Sequence, residues 1–413
     1  MGDMSHATLS ASQAPLTASR VLCLALALSL GAAISLGVTR FAYGLLLPPM
    51  RADLGWSYTL AGAMNTVNAL GYLLGALGVP RLLKRWSASQ LLLGGAVLAS
   101  VFMGLSGFFV EAGPLLLQRL LAGWASALVF VTGGLLAARL GQALPGRMGL
   151  VLGLYYGGVG WGIVLSALAV PQVLAAAQAQ AHGWRWAWWA LALACGLACG
   201  LLAWPARVMA AREAPATAAG SGGLATPQGR RFAWRDFGFG LAGYTLFGVG
   251  YIGYMTFVIA LLREQGVAPG AITLFYALLG LAVVASSRIW AGLLDRCRGG
   301  QALALLNGLL GLATVLPAVT QLWPVLLASG LLFGGVFLSV VASTTALVRH
   351  NLPPDQWAQG ISAFTIVFAA GQIVGPTVVG WVADGPGGLA QGLLYSAGAL
   401  WLGAALASRQ RAL

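Results

Sequence analysis

Apolar stretches of about 20 residues recur along the whole chain, and no other feature constrains its fold as strongly. A stretch of that length crosses the hydrocarbon core of a bilayer as an α-helix. Of the 413 residues, 59% are hydrophobic and only 8% are charged, whereas about a quarter of the residues of a soluble domain are charged. The stretches also lack the period-two polarity of membrane barrel strands. The sequence therefore predicts a polytopic, all-helical membrane protein.

We count twelve spans, and their boundaries carry the prolines, glycines and charges typical of turns. They are predicted at 21–47, 57–80, 89–110, 114–139, 148–170, 184–204, 236–262, 270–294, 301–320, 324–349, 357–382 and 389–408. Pro48 and Pro49 are expected to close the first span. The organisation expected from these spans is a disordered tail (1–19), a six-helix half (20–204), a flexible linker (205–235), a second six-helix half (236–408) and a short tail (409–413).

The distribution of basic residues predicts the orientation of the spans, because cytoplasmic loops collect Lys and Arg. Of the 22 basic residues, sixteen fall in the termini and even-numbered loops and three in the odd-numbered loops. Both termini and the linker are therefore predicted to be cytoplasmic, in a bacterial inner membrane. Since the positive charge mostly reports topology, the net charge of +13 does not indicate nucleic-acid binding.

Enzymatic and metal-binding functions have no recognisable equipment in this sequence. The four cysteines show no metal-ligand spacing, and the three histidines fall outside the predicted spans. A glycine-rich phosphate loop with its lysine is missing. We therefore expect no cofactor, no metal and no catalytic residue.

An internal repeat relates the two halves. A shift of 211 positions brings Leu36–Ser57 onto Phe247–Ala268, so that Gly55 meets Gly266. Arg40, an arginine inside the first apolar span, meets Tyr251. The fold itself therefore does not require a cation at this position, which favours a functional role for Arg40.

Three arginines, Arg40, Arg119 and Arg288, lie inside predicted spans, whereas all nine acidic residues lie in loops, tails or span ends. An ionisable side chain inside a span costs about 2.5 to 3.5 kcal/mol and persists mainly where it lines a cavity or finds a partner. A guanidinium group binds a carboxylate through a bidentate fork. An anionic substrate is therefore the simplest partner for these cations.

The helix directions predict that Arg40 and Arg119 share a layer roughly 8 to 12 Å below the outer face, with Arg288 about 10 Å above the cytoplasmic end. Each has an alternative role. Arg119 could bond only the backbone carbonyls of neighbouring helices, and Arg288 could pair with Asp295.

Uncharged polar and aromatic residues in the spans are further candidates for substrate binding, although such residues more often join helices to one another. They are Tyr43, Asn65, Asn68, Tyr155, Tyr156, Tyr251, Tyr254 and Gln372. Asn65 and Asn68 lie one turn apart on the second span.

Several motifs resemble those of the major facilitator superfamily. Arg119-Leu-Leu-Ala-Gly123 is similar to the family's R-x-x-x-G element, and 288–296 (RIWAGLLDR) resembles the second-half G-x-x-x-D-R loop motif. The first-half version, 75–85 (GALGVPRLLKR), keeps Arg81 and Arg85 but lacks the aspartate. The resemblance implies two pseudo-symmetric bundles, with Asp295, Arg296, Arg81 and Arg85 as gating residues.

Within that superfamily, two further segments resemble the bacterial YbfB/YjiJ-like branch: 37–50 (GVTRFAYGLLLPPM) and 371–376 (GQIVGP). In the wider oxalate/formate and monocarboxylate family, an arginine of the eighth helix binds the substrate carboxylate, and Arg288 lies in a similar local frame. The fifth span lacks the G-P pair typical of drug-exporting antiporters.

The sequence thus predicts a monomeric secondary transporter that moves a small organic anion, a carboxylate, through the bilayer by alternating access, coupled to protons or to a counter-anion. Two alternatives remain open at this point. One is an efflux antiporter for amphipathic compounds, and the other is a membrane sensor that binds a ligand without moving it.

Overall fold

The computed structural model describes residues 16–144, 147–212, 232–353 and 356–413, and these residues form helices and connecting turns without a strand. The predicted disordered tail and linker fall largely on residues 1–15 and 213–231, which lie outside the described residues.

The helices follow the predicted spans closely, and twelve are long and apolar enough to cross a membrane. Their bounds are α1 Ala18–Ala32, α2 Tyr43–Leu54, α3 Tyr58–Leu82, α4 Ala88–Ser106, α5 Ala112–Gly141, α6 Met148–Ala176, α7 Trp184–Ala210, α8 Gly238–Glu264, α9 Pro269–Ile289, α10 Ala291–Arg296, α11 Gln301–Val319, α12 Trp323–Asn351, α13 Trp357–Ala383 and α14 Gly388–Ser408. A π-helix, Ala33–Val38, and a turn at 39–42 join α1 to α2. The protein is therefore a multi-pass membrane protein.

Four expected boundaries are wrong. The first span does not end at Pro48 and Pro49, because the chain restarts as a helix at Tyr43 and carries both prolines inside α2 to Leu54. The fifth span, α6, continues past residue 170 to Ala176, and the sixth span, α7, continues past residue 204 to Ala210. The predicted eighth span is broken at Trp290, whose indole nitrogen donates to the carbonyl of Gly335, 2.8 Å away.

The repeat recognised in the sequence has a structural counterpart at the ends of α2 and α8. Gly55 closes α2 with φ +65°, and its repeat partner Gly266 follows α8 with φ +76°. Only glycine adopts this left-handed backbone without steric cost. Both copies of the unit therefore end their first membrane crossing in the same way.

The helices of 16–212 pack mainly on one another, as do those of 232–413, and a few helix pairs join these two halves. The joining pairs are α3 with α13, α6 with α9, and α2 with α8. Close approach depends on glycines: a Cβ at Gly62 of α3 would lie 2.2 Å from the carbonyl oxygen of Pro376, and one at Gly380 would lie 2.3 Å from that of Tyr58. The two halves therefore touch backbone to backbone at the end of the molecule that carries Tyr58, here called the Tyr58 end.

Candidate functional site

The interruption of the first span brings its arginine to the boundary between the halves. The π-helix is marked by bonds from Thr39 N to the Ile34 carbonyl and from Phe41 N to the Leu36 carbonyl, both 3.0 Å. Gly37, inside it, packs against Gly162 of α6 at a distance that leaves no room for a side chain. Local π-helices are frequent at functional sites.

The turn at 39–42 is held from both halves. Arg119 of α5 donates from Nη1 to the Thr39 carbonyl, 2.7 Å away. Tyr276 of α9 donates its hydroxyl to the Phe41 carbonyl at 2.8 Å. The residue between these two anchors is Arg40.

Arg40 is 3% exposed, and its Nε and Nη2 atoms are buried without a hydrogen-bond partner. Its guanidinium carbon lies 5.9 Å from the ring centre of Tyr72 on α3. Tyr251, its repeat partner, lies within electrostatic range across the boundary between the halves. Equivalent positions of the two repeats thus lie near each other, one carrying a cation and the other a phenol.

Arg119 has a different environment, although it is equally buried. Besides the Thr39 carbonyl, its guanidinium donates from Nη2 to Oδ1 of Asn65 at 2.7 Å and lies 4.9 Å from the ring centre of Tyr43. Asn65 in turn donates to the Thr256 hydroxyl of α8 at 2.8 Å. Arg119 is therefore the start of a hydrogen-bonded chain that crosses from one half to the other.

Several polar candidates from the sequence lie in helix-joining contacts near the layer that holds Arg40 and Arg119, here called the central layer. Asn68 donates to the Arg119 carbonyl at 2.9 Å, Tyr43 to the Ala61 carbonyl at 2.9 Å, and Tyr155 to the Phe130 carbonyl at 3.0 Å. The Tyr254 hydroxyl bonds that of Ser329 at 2.7 Å. Gln372 is buried.

The structure does not bring Arg288 to this layer. Its side chain is exposed, and because α9 breaks at Trp290, Arg288 belongs to the last turn of that helix. Asp295, Arg296, Arg81 and Arg85 are also exposed. Among the described residues, no ion pair joins Asp295 to Arg288 or to Arg296.

Sequence reasoning missed Tyr72, which lies beside Arg40, and the aromatic residues around Tyr251. Helical spacing could have found both sets. Tyr72 follows Asn65 and Asn68 on the same face of α3, at steps of three and four. The aromatic residues of α8 repeat in the same way at 244, 247, 251 and 254.

Comparison with known proteins agrees with this architecture. The model of a family described as "Uncharacterised MFS-type transporter YbfB" matches residues 32–408. No curated protein sequence gives a significant match.

Solved structures resemble the fold over nearly the whole chain. A bacterial homolog of the human lysosomal transporter Spinster, in an inward-facing, unoccupied conformation, has a TM-score of 0.66 at 15% identity, with 94% of this chain and 95% of that chain covered. The nucleoside transporter NupG has a TM-score of 0.70 at 14% identity, with 94% and 98% covered. The fold and the family match together place this chain in the YbfB-type family of the major facilitator superfamily, whose members are secondary transporters.

Proposed function

We propose that this protein moves a small organic anion, a carboxylate, across the bacterial inner membrane by alternating access, and that Arg40 binds the anion. The observation that carries the proposal is the pair of buried, unpartnered donors Nε and Nη2 on Arg40. A charge in this position is costly unless a partner arrives. The two nitrogens lie on one edge of the guanidinium, and that edge can donate two parallel hydrogen bonds to one carboxylate.

Arg119 acts, in this proposal, on Arg40 and not on the substrate. Its donors are already bonded to Thr39 and Asn65, so it is a positioning residue that fixes the turn carrying Arg40. Its positive charge adds to that of Arg40, since the two groups lie within electrostatic range of each other. Two neighbouring cations make the layer attractive to an anion before the anion is bound.

Arg288 meets the anion at a later stage. It is exposed near the end of the molecule opposite the Tyr58 end, which the distribution of basic residues assigns to the cytoplasm. We therefore expect Arg288 to assist passage between the central layer and that side. Loss of Arg288 should slow flux without weakening binding at Arg40.

The driving force comes from the substrate's own proton or from exchange with a counter-anion. The acidic residues all lie at span ends or outside spans, so the central layer has no carboxylate to carry a proton. The same distribution disfavours efflux of amphipathic cations, for which an acid inside the spans would be expected.

Uptake into proteoliposomes tests the proposal. The probes are radiolabelled acetate, lactate, benzoate and cyclohexanecarboxylate, with uridine as an uncharged comparison because a structural neighbour is a nucleoside transporter. For at least one of these acids, we expect uptake that responds to an imposed pH gradient or to preloaded anion.

Arg40→Ala should weaken binding of that anion by about 100-fold, since two charge-assisted hydrogen bonds are lost. Arg40→Lys, which keeps the charge but not the fork, should retain part of the affinity. The matched control is Arg409→Ala, which removes an exposed cation outside the spans. Undiminished anion flux in Arg40→Ala would overturn the assignment of Arg40.

A further inference from the structure

The rings around Arg40 indicate which class of carboxylate the site takes. On one side stands Tyr72, which lies next to Phe130, with 6.4 Å between ring centres. Phe130 in turn contacts Tyr156 at 5.3 Å. Tyr72 and Tyr156 are partly exposed. Tyr72 also lies within electrostatic range of Arg40, Tyr156 and Tyr251. Tyr72, Phe130 and Tyr156 therefore form one aromatic cluster beside the arginine.

The other half presents a column of stacked rings, defined here as the aromatic column. Its members come from α8, α12 and α13: Tyr244, Phe247, Tyr251, Tyr254, Phe333, Phe337 and Phe368. Successive rings are nearly parallel, with interplanar angles from 9° to 22° and centres 4.0 to 6.0 Å apart. Tyr251, which lies within electrostatic range of Arg40, belongs to this column. Phe337 of the column also contacts Phe41, the residue after Arg40, with 5.8 Å between ring centres.

The tyrosine hydroxyls near Arg40 differ in whether the protein already binds them. Among the described residues, the hydroxyls of Tyr72, Tyr156 and Tyr251 have no hydrogen-bond partner, whereas those of Tyr43, Tyr155 and Tyr254 are bonded to the protein. Phenol hydroxyls without a protein partner therefore lie near the arginine whose Nε and Nη2 are also unpartnered.

The charge available limits the ligand to one carboxylate. Arg119 is occupied by Thr39 and Asn65, and Arg288 is exposed away from this layer. A second carboxylate bound here would lose its hydration without gaining a cation, and burying an unpaired charge is strongly unfavourable.

We propose that the substrate is a flat aromatic monocarboxylate, with its carboxylate on Nε and Nη2 of Arg40 and its ring between Tyr72 and the aromatic column at Tyr251 and Phe337. Offset stacking on parallel rings favours a planar π-system over a puckered aliphatic ring of the same size. The proposal rests on the proposed anion-binding role of Arg40 and adds to it the class of the anion.

Binding to the purified full-length protein tests the proposal through pairs of matched probes. Benzoate and cyclohexanecarboxylate share charge and size but differ in planarity, and we expect benzoate to bind about tenfold more tightly. Benzamide lacks the charge and phthalate carries a second carboxylate, so both should bind more weakly than benzoate. Affinities are measured by isothermal titration and by thermal stabilisation, which agree if the ligand binds the folded state.

Substitutions in the aromatic column then test where the ring of the ligand binds. Tyr251→Leu and Phe337→Leu should reduce the preference for benzoate over cyclohexanecarboxylate to nearly onefold, whereas Tyr251→Phe should keep the preference because it keeps the ring. Phe108→Leu, at a ring that is 65% exposed and away from the site, is the control. If Tyr251→Leu fails to fold, Phe337→Leu and Tyr251→Phe still decide the question.

The possible failures are distinguishable. Equal binding of benzoate and cyclohexanecarboxylate, with both lost in Arg40→Ala, overturns the aromatic assignment and leaves the anion-transport proposal standing. Binding of benzoate that Arg40→Ala does not weaken overturns both.

Discussion

The two buried arginines of the central layer have opposite effects on the stability of the unliganded fold, although both lie inside apolar spans. Arg119 satisfies carbonyl and amide oxygens that would otherwise be buried without a donor. Arg40 leaves two of its own nitrogens without an acceptor. One cation therefore stabilises the unliganded fold, and the other destabilises it until a ligand binds.

Neutral substitutions at these two positions should shift thermal stability in opposite directions. In the absence of anions, Arg40→Gln should raise the free energy of unfolding by about 2 to 3 kcal/mol, because an unpaired charge is removed from the membrane interior. Arg119→Gln should lower it by about 3 kcal/mol, since hydrogen bonds from a charged donor are lost. The measurement is thermal unfolding in detergent, with intact monodispersity as the control. A lowered unfolding temperature in Arg40→Gln would contradict the absence of a partner.

The sequence identified both arginines but not the difference between them. The positions of the charged residues and the internal repeat depend only on residue identity and spacing, so the sequence alone shows them. Which acceptor each guanidinium reaches depends on how α2, α3 and α5 cross, and on a turn at 39–42 that no proline or glycine pair announces. The sequence indicates Asn65 as a candidate substrate-binding residue, but its bond to Arg119 cannot be predicted from one helix alone.

At the scale of elements, the number of spans and most of their bounds can be predicted from the sequence, because their apolar lengths match the bilayer. The interruptions were not predicted, since tertiary contacts impose them. The π-helix accommodates the close approach of Gly37 to α6, and the break at Trp290 is held by the bond to Gly335. Pro48 and Pro49 suggested a helix end, yet the earlier interruption lets α2 begin afresh and run through them.

The contact of α3 with α13 offers an element-scale prediction. Gly62→Ala places a methyl group 2.2 Å from a backbone oxygen of Pro376, and overpacking of this kind costs about 1 to 3 kcal/mol. The two halves should therefore separate at the Tyr58 end. We expect longer distances between spin labels on Ala52 and Pro386, both exposed, in a cysteine-free background.

Gly78→Ala on the same helix is the matched control, because a Cβ there meets nothing within 4 Å. It should leave the label distances unchanged. An unchanged distance distribution in Gly62→Ala as well would show that the backbone contact does not hold this end closed.

At the scale of the whole molecule, the Tyr58 end is closed by a small polar network between the halves. The Asp384 carboxylate accepts from the backbone N–H groups of Tyr58 at 2.7 Å and Thr59 at 2.9 Å, and from the Thr59 hydroxyl at 2.6 Å. The Tyr58 hydroxyl bonds Glu264, and the guanidinium carbon of Arg51 lies 3.7 Å from the Tyr58 ring centre. A carboxylate from one half thus caps the first turn of α3 in the other.

This network predicts a defined pH dependence. Partial burial acts to raise the pKa of Asp384, but the hydrogen bonds from Thr59 and Tyr58, with the charge of Arg51, outweigh it and hold the pKa below its ordinary value. A depressed pKa stabilises the closed state above the ordinary value of about 3.9, and that stabilisation is lost as pH falls through the lower pKa.

The distance between labels on Ala52 and Pro386 should therefore show no change attributable to Asp384 between about pH 8 and about pH 5. Asp384→Asn, which imitates the protonated side chain, should lengthen that distance at every pH in this range. If the label distance in the unsubstituted protein lengthens near pH 6, and a pH response of the same midpoint remains in Asp384→Asn, that response belongs to another group. If the distance in Asp384→Asn is as short as in the unsubstituted protein, Asp384 does not hold this end closed.

The π-helix at Ala33–Val38 also has a consequence for how such a site changes between relatives. A π-helix is an α-helix that has absorbed an inserted residue, and each residue of an α-helix turns the chain by about 100°. Deleting one residue between 33 and 38 would restore the regular helix and rotate the following turn away from Tyr72. The arginine could thus be withdrawn from the central layer by a change in chain length, without substitution of any residue of the site.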